Sequence, residues 1–222
     1  MLKRVTTGVP GLDAITKGGI PEKDLVLLSG PSGTGKTILG LQFLYASKDK
    51  GIFVSFEEHL SQIKSTAQGF GWDFAKAESE NRIRLLKYDP FKLEDIFEII
   101  ESNIKEIDAR RVVIDSVSAL GIYVKDTADL RRMIVQISDM LRKNDCTSLL
   151  ISEVVNEKRL SRFGVEEFVT DGVVMLRNIF TNGEYRRGIN VWKLRGSDHS
   201  RKIHPYKITG SGIVVYPNDA IK

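Results

Sequence analysis

The sequence predicts an α/β fold, a mostly parallel sheet flanked by helices, with antiparallel strands added toward the C-terminus. Three observations carry this. Apolar strand-like runs alternate with helical runs through the first two thirds of the chain. One of those runs ends in a glycine-rich loop that opens a helix, as a buried parallel strand does. The last third holds strand runs separated by turn signals, with no helical period between them.

In chain order, Leu25 to Ser29 is the apolar strand before the glycine loop. Ile38, Leu39, Leu41, Phe43 and Leu44 then read as a helix stopping near Lys50-Gly51. Ile52 to Phe56 and Ile83 to Leu86 are the next strands. Leu93, Ile96, Phe97, Ile100, Ile104 and Ile107 recur at helical spacing. Val112-Val113-Ile114 is a compact strand ending in Asp115. Leu130, Ile134, Ile137 and Leu141 mark another helix, with Asp126 or Thr127 as its cap. Ser148 to Ile151 closes the parallel series, and four more strands follow at Val173–Leu176, Arg187–Leu194, Tyr206–Thr209 and Ile213–Tyr216. Asn182-Gly183 is a strong hairpin signal and Ser211-Gly212 a weaker one. Residues 1–222 are expected to form one domain, with no linker and no internal repeat.

Composition narrows the class. With 41% hydrophobic and 28% charged residues the chain is globular, and no apolar run reaches the ~20 residues a membrane span needs. The N-terminus lacks an apolar signal segment. Cys146 stands alone, which excludes a disulfide framework and fits a reducing cytoplasm. A net charge of +4 is spread over pairs such as Arg110-Arg111 and Arg186-Arg187 rather than a basic tract. His59, His199 and His204 have no metal-ligand spacing.

The chemistry begins at Gly30-Pro31-Ser32-Gly33-Thr34-Gly35-Lys36-Thr37, a complete G-x-x-x-x-G-K-[ST] loop. Its glycines let backbone N–H groups wrap around phosphates, and the following helix adds its positive end. Lys36 can reach the β- and γ-phosphates of ATP, while the Thr37 hydroxyl can ligate Mg2+. The second metal-holding group should be an acid at the end of a buried strand, and Asp115 fits. Hydrolysis also needs a group that orients water. Glu57 and Glu58 follow the strand after the phosphate-loop helix, and would share its edge if that strand neighbours the loop strand. Position alone equally allows two solvated acids opening a helix near Leu60.

Beyond this point the order of motifs resembles the KaiC family of the RecA superfamily. The resemblance rests on the phosphate loop, Phe56-Glu57-Glu58, Phe70-Gly71-Trp72-Asp73, Ile114-Asp115-Ser116-Val117, Phe163 to Asp171 and Lys193-Leu194-Arg195-Gly196. It runs from Thr7 to Tyr216 and is closest to the N-terminal, ATP-hydrolysing half of the two-domain clock members. It implies a RecA-like core, a homo-hexameric ring with ATP between subunits, and Glu57 and Glu58 as promoters of hydrolysis. It further implies that Lys193 and Arg195 reach a neighbour's γ-phosphate, with Gly69, Leu194, Ser197 and His199 near the nucleotide. The positions matching autophosphorylated residues are Glu167 and Phe168, which accept no phosphate, so autokinase activity is not expected.

Three roles follow: an ATP-hydrolysing regulatory or assembly switch, a RecA-like DNA-binding ATPase, and a nucleotide-sensing subunit of a larger machine such as the archaeal motility motor. The DNA reading, less favoured, rests on Asn156-Glu157-Lys158-Arg159-Leu160-Ser161-Arg162-Phe163, three cations and an aromatic after a core strand.

Overall fold

The computed structural model describes residues 2–89, 96–122, 124, 126–156 and 159–221. Its first elements are β1 (Arg4–Val5), α1 (Leu12–Ile15), β2 (Ile20–Pro21), β3 (Leu25–Gly30), α2 (Lys36–Tyr45) and β4 (Gly51–Ser55). Next come α3 (Leu60–Gly69), α4 (Phe74–Ser79), β5 (Ile83–Lys87), α5 (Ile96–Ile107), β6 (Arg111–Asp115), α6 (Val117–Gly121) and α7 (Thr127–Lys143). The last are β7 (Thr147–Glu153), α8 (Glu166–Val169), β8 (Gly172–Thr181), β9 (Glu184–Leu194), β10 (His204–Thr209) and β11 (Gly212–Val215).

Among the described residues, nine strands join one sheet in the order β11-β10-β9-β8-β3-β7-β6-β4-β5, and β1 and β2 form a separate antiparallel pair. Alternation along β3 explains how the sheet is covered. Val26 and Leu28 point into one apolar layer with Leu39, Leu41 and Phe43 of α2. Leu25 and Leu27 point into the other, with Ile100 and Ile104 of α5 and Ile134 and Ile137 of α7. Helix α2 lies so close to the sheet that a Cβ on Gly40 would stand 2.9 Å from Val113 Cγ1. Helix α7 starts as the sequence proposes, with Asp126 accepting from the Asp129 N–H at 2.8 Å. Leu93 lies outside the described residues.

Three local expectations change. β7 does not close the parallel series, because β8 pairs parallel with β3 on one side and antiparallel with β9 on the other. Among the described residues, the crossover that makes this possible contains only the four-residue α8, too short to leave a helical period in the sequence. Second, β4 is not the neighbour of β3: β7 and β6 lie between them. Third, the last hairpin turns on Gly210-Ser211, with Thr209 opposite Gly212, one residue before the predicted turn. The Asn182-Gly183 turn stands as expected, both residues at positive φ.

Candidate functional site

The loop after β3 is shaped by its glycines. A Cβ on Gly30 would lie 2.4 Å from the Leu176 carbonyl oxygen, so the chain can turn there only without a side chain. Gly33 and Gly35 take φ of 76° and 90°, the left-handed region. Thr34 is buried and donates to the Pro31 carbonyl at 2.8 Å, while the Tyr206 hydroxyl donates to the Thr34 carbonyl at 2.5 Å. Lys36 opens α2 and donates to the Pro31 carbonyl at 2.9 Å. Burial lowers the proton affinity of its ammonium, and Glu153 and Asp115 oppose that shift.

Strand β6 brings Asp115 to the same edge. Its Oδ2 accepts from the Thr37 hydroxyl at 2.7 Å. Burial pushes its carboxyl up to about 6. The Thr37 hydrogen bond and Lys36 pull it back, and Glu58 and Glu57 push it further up. Two hard oxygen donors in contact, in a pocket rich in carboxylates, suit Mg2+, which takes one or two protein ligands and completes its shell with phosphates and water. Among the described residues there is no cluster of three or more His, Cys, Asp or Glu that would cage a metal by itself.

Glu57 and Glu58 arrive at this edge although β4 is three strands from β3. The link is β6: Ser55 pairs with Asp115, and the Phe56 N–H donates to the Asp115 carbonyl at 2.9 Å. The Ser55 hydroxyl holds the Glu58 carbonyl at 2.9 Å, and the Ser116 hydroxyl lies 3.4 Å from Glu57 Oε2. Both carboxylates are exposed. Together Ser32, Gly33, Gly35, Lys36, Thr37, Glu57, Glu58 and Asp115 line one cleft of about 330 Å³.

The other predicted site residues lie elsewhere. β9 runs antiparallel to β8, so Leu194 pairs with Gly172, which pairs with Val26 near the start of β3. The phosphate loop begins at the other end of β3, at Gly30, about 13 Å farther along at ~3.3 Å per residue. Lys193 and Arg195 face α8: Lys193 Nζ donates to the Glu167 carbonyl at 2.6 Å and Arg195 Nη2 to the Phe168 carbonyl at 3.0 Å. Arg195 also pairs with the buried Asp171 at 3.3 Å. Burial and the Arg195 charge lower the proton affinity of Lys193. Leu194 is buried, Ser197 accepts from Arg4, and His199 Nδ1 lies 3.0 Å from the Ser200 carbonyl. Gly69 ends α3, beyond the cleft-lining Thr66. None of these residues lines the phosphate cleft of its own chain.

Sequence reasoning missed Glu153, which ends β7 opposite Gly30 and lines the cleft. The signal existed, an acid closing an apolar strand, as at Asp115. A larger cleft, about 850 Å³, shares Gly33 but is lined by Arg186, Arg187, Lys207 and Tyr216, with Glu184 and Asp219, and holds neither Thr37 nor Asp115. In the segment proposed for DNA, Glu157 and Lys158 lie outside the described residues. Phe163 is half-buried and packs against the core beside Gly121.

A family model described as the KaiC ATPase matches residues 5–220. A UPF0273 protein of Pyrococcus furiosus is 41% identical, covering all of this chain and 97% of that protein. The circadian clock oscillator protein KaiC of a Picosynechococcus species is 36% identical across all of this chain, which spans 46% of that protein. Among solved structures, a KaiC-like protein from the hyperthermophilic archaeon Pyrococcus horikoshii superposes with a TM-score of 0.91 at 35% identity, covering 98% of this chain and 100% of that one. No described helix is long and apolar enough to cross a membrane.

Proposed function

The chain belongs to the KaiC ATPase family, and from that footing we propose that it is a Mg2+-dependent ATPase working as an oligomeric regulatory or assembly switch. The observation that carries this is the Thr37–Asp115 contact inside a complete phosphate loop, with Glu57 and Glu58 in the same cleft. In this reading residues 1–222 act as one ATPase domain. Gly30 to Thr37 bind the β- and γ-phosphates, and Thr37 and Asp115 hold Mg2+. When bound, the ion neutralises phosphate charge. Glu57 or Glu58 orients the attacking water, and the other positions that carboxylate.

Lys193 and Arg195 of one copy, acting as a cationic finger, would serve the phosphates of another. This is supported by their position near the start of β3, which puts them out of reach of their own loop. Leu194, Ser197, His199 and Gly69 would then line the nucleotide from either side of a subunit boundary, in a homo-hexameric ring. Arginine and lysine there would offset charge on the transferring phosphoryl group. Native mass determination with and without Mg-ATP, coupled to phosphate release, tests the proposal. A ring that forms with ATP and releases phosphate is expected. A monomer with full turnover would contradict the composite site. Assembly with almost no turnover would favour a nucleotide-sensing subunit instead.

A further inference from the structure

Glu166 is fully buried, an uncommon place for a carboxylate. It is held by many donors. Its oxygens accept from the Ser152 hydroxyl at 3.0 Å and the N–H groups of Phe163 at 3.3 Å and Val165 at 3.1 Å, and the Ser161 hydroxyl, which also contacts the Glu167 carboxylate, lies 2.7 Å away. Ser152 precedes the cleft residue Glu153 on β7. Ser29, which precedes Gly30, donates its hydroxyl to the Leu160 carbonyl at 2.5 Å. The start of α8 is therefore tied to β7, and the loop that leads into it is tied to β3.

The end of α8 holds the finger. A helix leaves its last carbonyls without partners, and cationic side chains are suited to take them. Here Lys193 takes the Glu167 carbonyl and Arg195 the Phe168 carbonyl. The Glu166 carbonyl is taken by Thr170, through its N–H at 3.1 Å and its hydroxyl at 3.0 Å. One four-residue helix thus connects the chain's own phosphate strands to the two cations it offers outward.

We infer that Glu166 is a positioning residue for the Lys193–Arg195 finger: by fixing α8 to β7 it sets where the Glu167 and Phe168 carbonyls hold the two cations. The inference rests on the reading that this finger acts on the nucleotide of a second copy. If Glu166 merely closed the loop before α8, its loss would disturb the phosphate strands of its own chain. If it aims the finger, its loss leaves those strands intact and impairs catalysis in the neighbour.

The test uses Glu166→Gln, which keeps the shape but replaces one acceptor oxygen with a donor. Affinity for a non-hydrolysable ATP analogue should stay within about two-fold while kcat falls about ten-fold, as misplacement without lost binding predicts. Mixing Glu166→Gln subunits with Lys36→Ala subunits should restore turnover, because the Lys36→Ala chain supplies an undisturbed finger to an intact phosphate loop. If analogue binding falls in step with kcat, or mixing restores nothing while a Lys36→Ala with Arg195→Ala mixture does recover, the inference is overturned. If that reference mixture also fails, the finger does not act in trans, and the inference falls with the reading beneath it. Should Glu166→Gln not fold, as judged by circular dichroism, Ser152→Ala removes one donor to the same carboxylate and is expected to act in the same direction, more weakly. An unchanged kcat in that variant would overturn the inference.

Discussion

The Thr37 hydroxyl donates to the Asp115 carboxylate across 2.7 Å, although 78 positions separate the two residues in the chain. The contact joins the helix after the glycine loop to the end of β6. Everything proposed for the cleft depends on that pair, because an oxygen from each is what the metal would take. Asp115→Asn should therefore weaken ATP binding in the presence of Mg2+ on the order of ten-fold or more. In EDTA the variant and the parent should bind alike. Isothermal titration under both conditions checks this, and equal loss in EDTA would assign Asp115 to the fold instead.

Changing Glu57 and Glu58 together to glutamine should leave Mg-ATP binding within about two-fold and lower phosphate release by roughly 100-fold or more. Each single change separates the water-orienting carboxylate from its neighbour, since only one should reproduce most of the loss. Undiminished turnover in the double variant would leave the pair as solvated acids ahead of α3.

Asp24 offers a pH-dependent stability test away from the cleft. Burial and the neighbouring Asp171 push its carboxyl up to about 6 from 3.8, while Arg142, Arg195 and Arg4 pull it down, and its Oδ2 has no hydrogen-bond partner. A raised folded-state value means the folded chain holds the proton more tightly than the unfolded one. Stability from this group is therefore present below 3.8 and declines as pH rises toward 6. Asp24→Asn should stabilise the protein at pH 8 by about 1 kcal/mol, after discounting for partial exposure, and by little at pH 4. Thermal melts at the two pH values give the comparison. A variant less stable than the parent at pH 8 would contradict it.

How much of this was legible in the sequence follows from what a sequence pattern encodes. Gly30 to Thr37 is contiguous, so its backbone cradle could be read directly. Asp115 could be read because three apolar residues, Val112 to Ile114, place it at a strand end. The neighbour relations could not. The continuous apolar run along β4 reports that both its faces are buried, yet says nothing about β6 and β7 lying between it and β3. The same gap concealed Glu153, since its value lies in standing opposite Gly30 on another strand. Helix α8 was hidden for a different reason: four residues are about one turn, and one turn carries no period. The resemblance named the finger residues. That they sit away from their own phosphate loop emerged only from the register of β9 on β8 and β8 on β3.

The central claim is that one copy's phosphate cleft is completed by another copy's cations. Phosphate release from a mixture of Lys36→Ala and Arg195→Ala chains measures it most directly, because each chain carries only one of the two halves. Neither chain alone should turn over appreciably, and the mixture should recover a fraction set by how often an intact cleft meets an intact finger. A mixture no more active than its separate components would contradict the account.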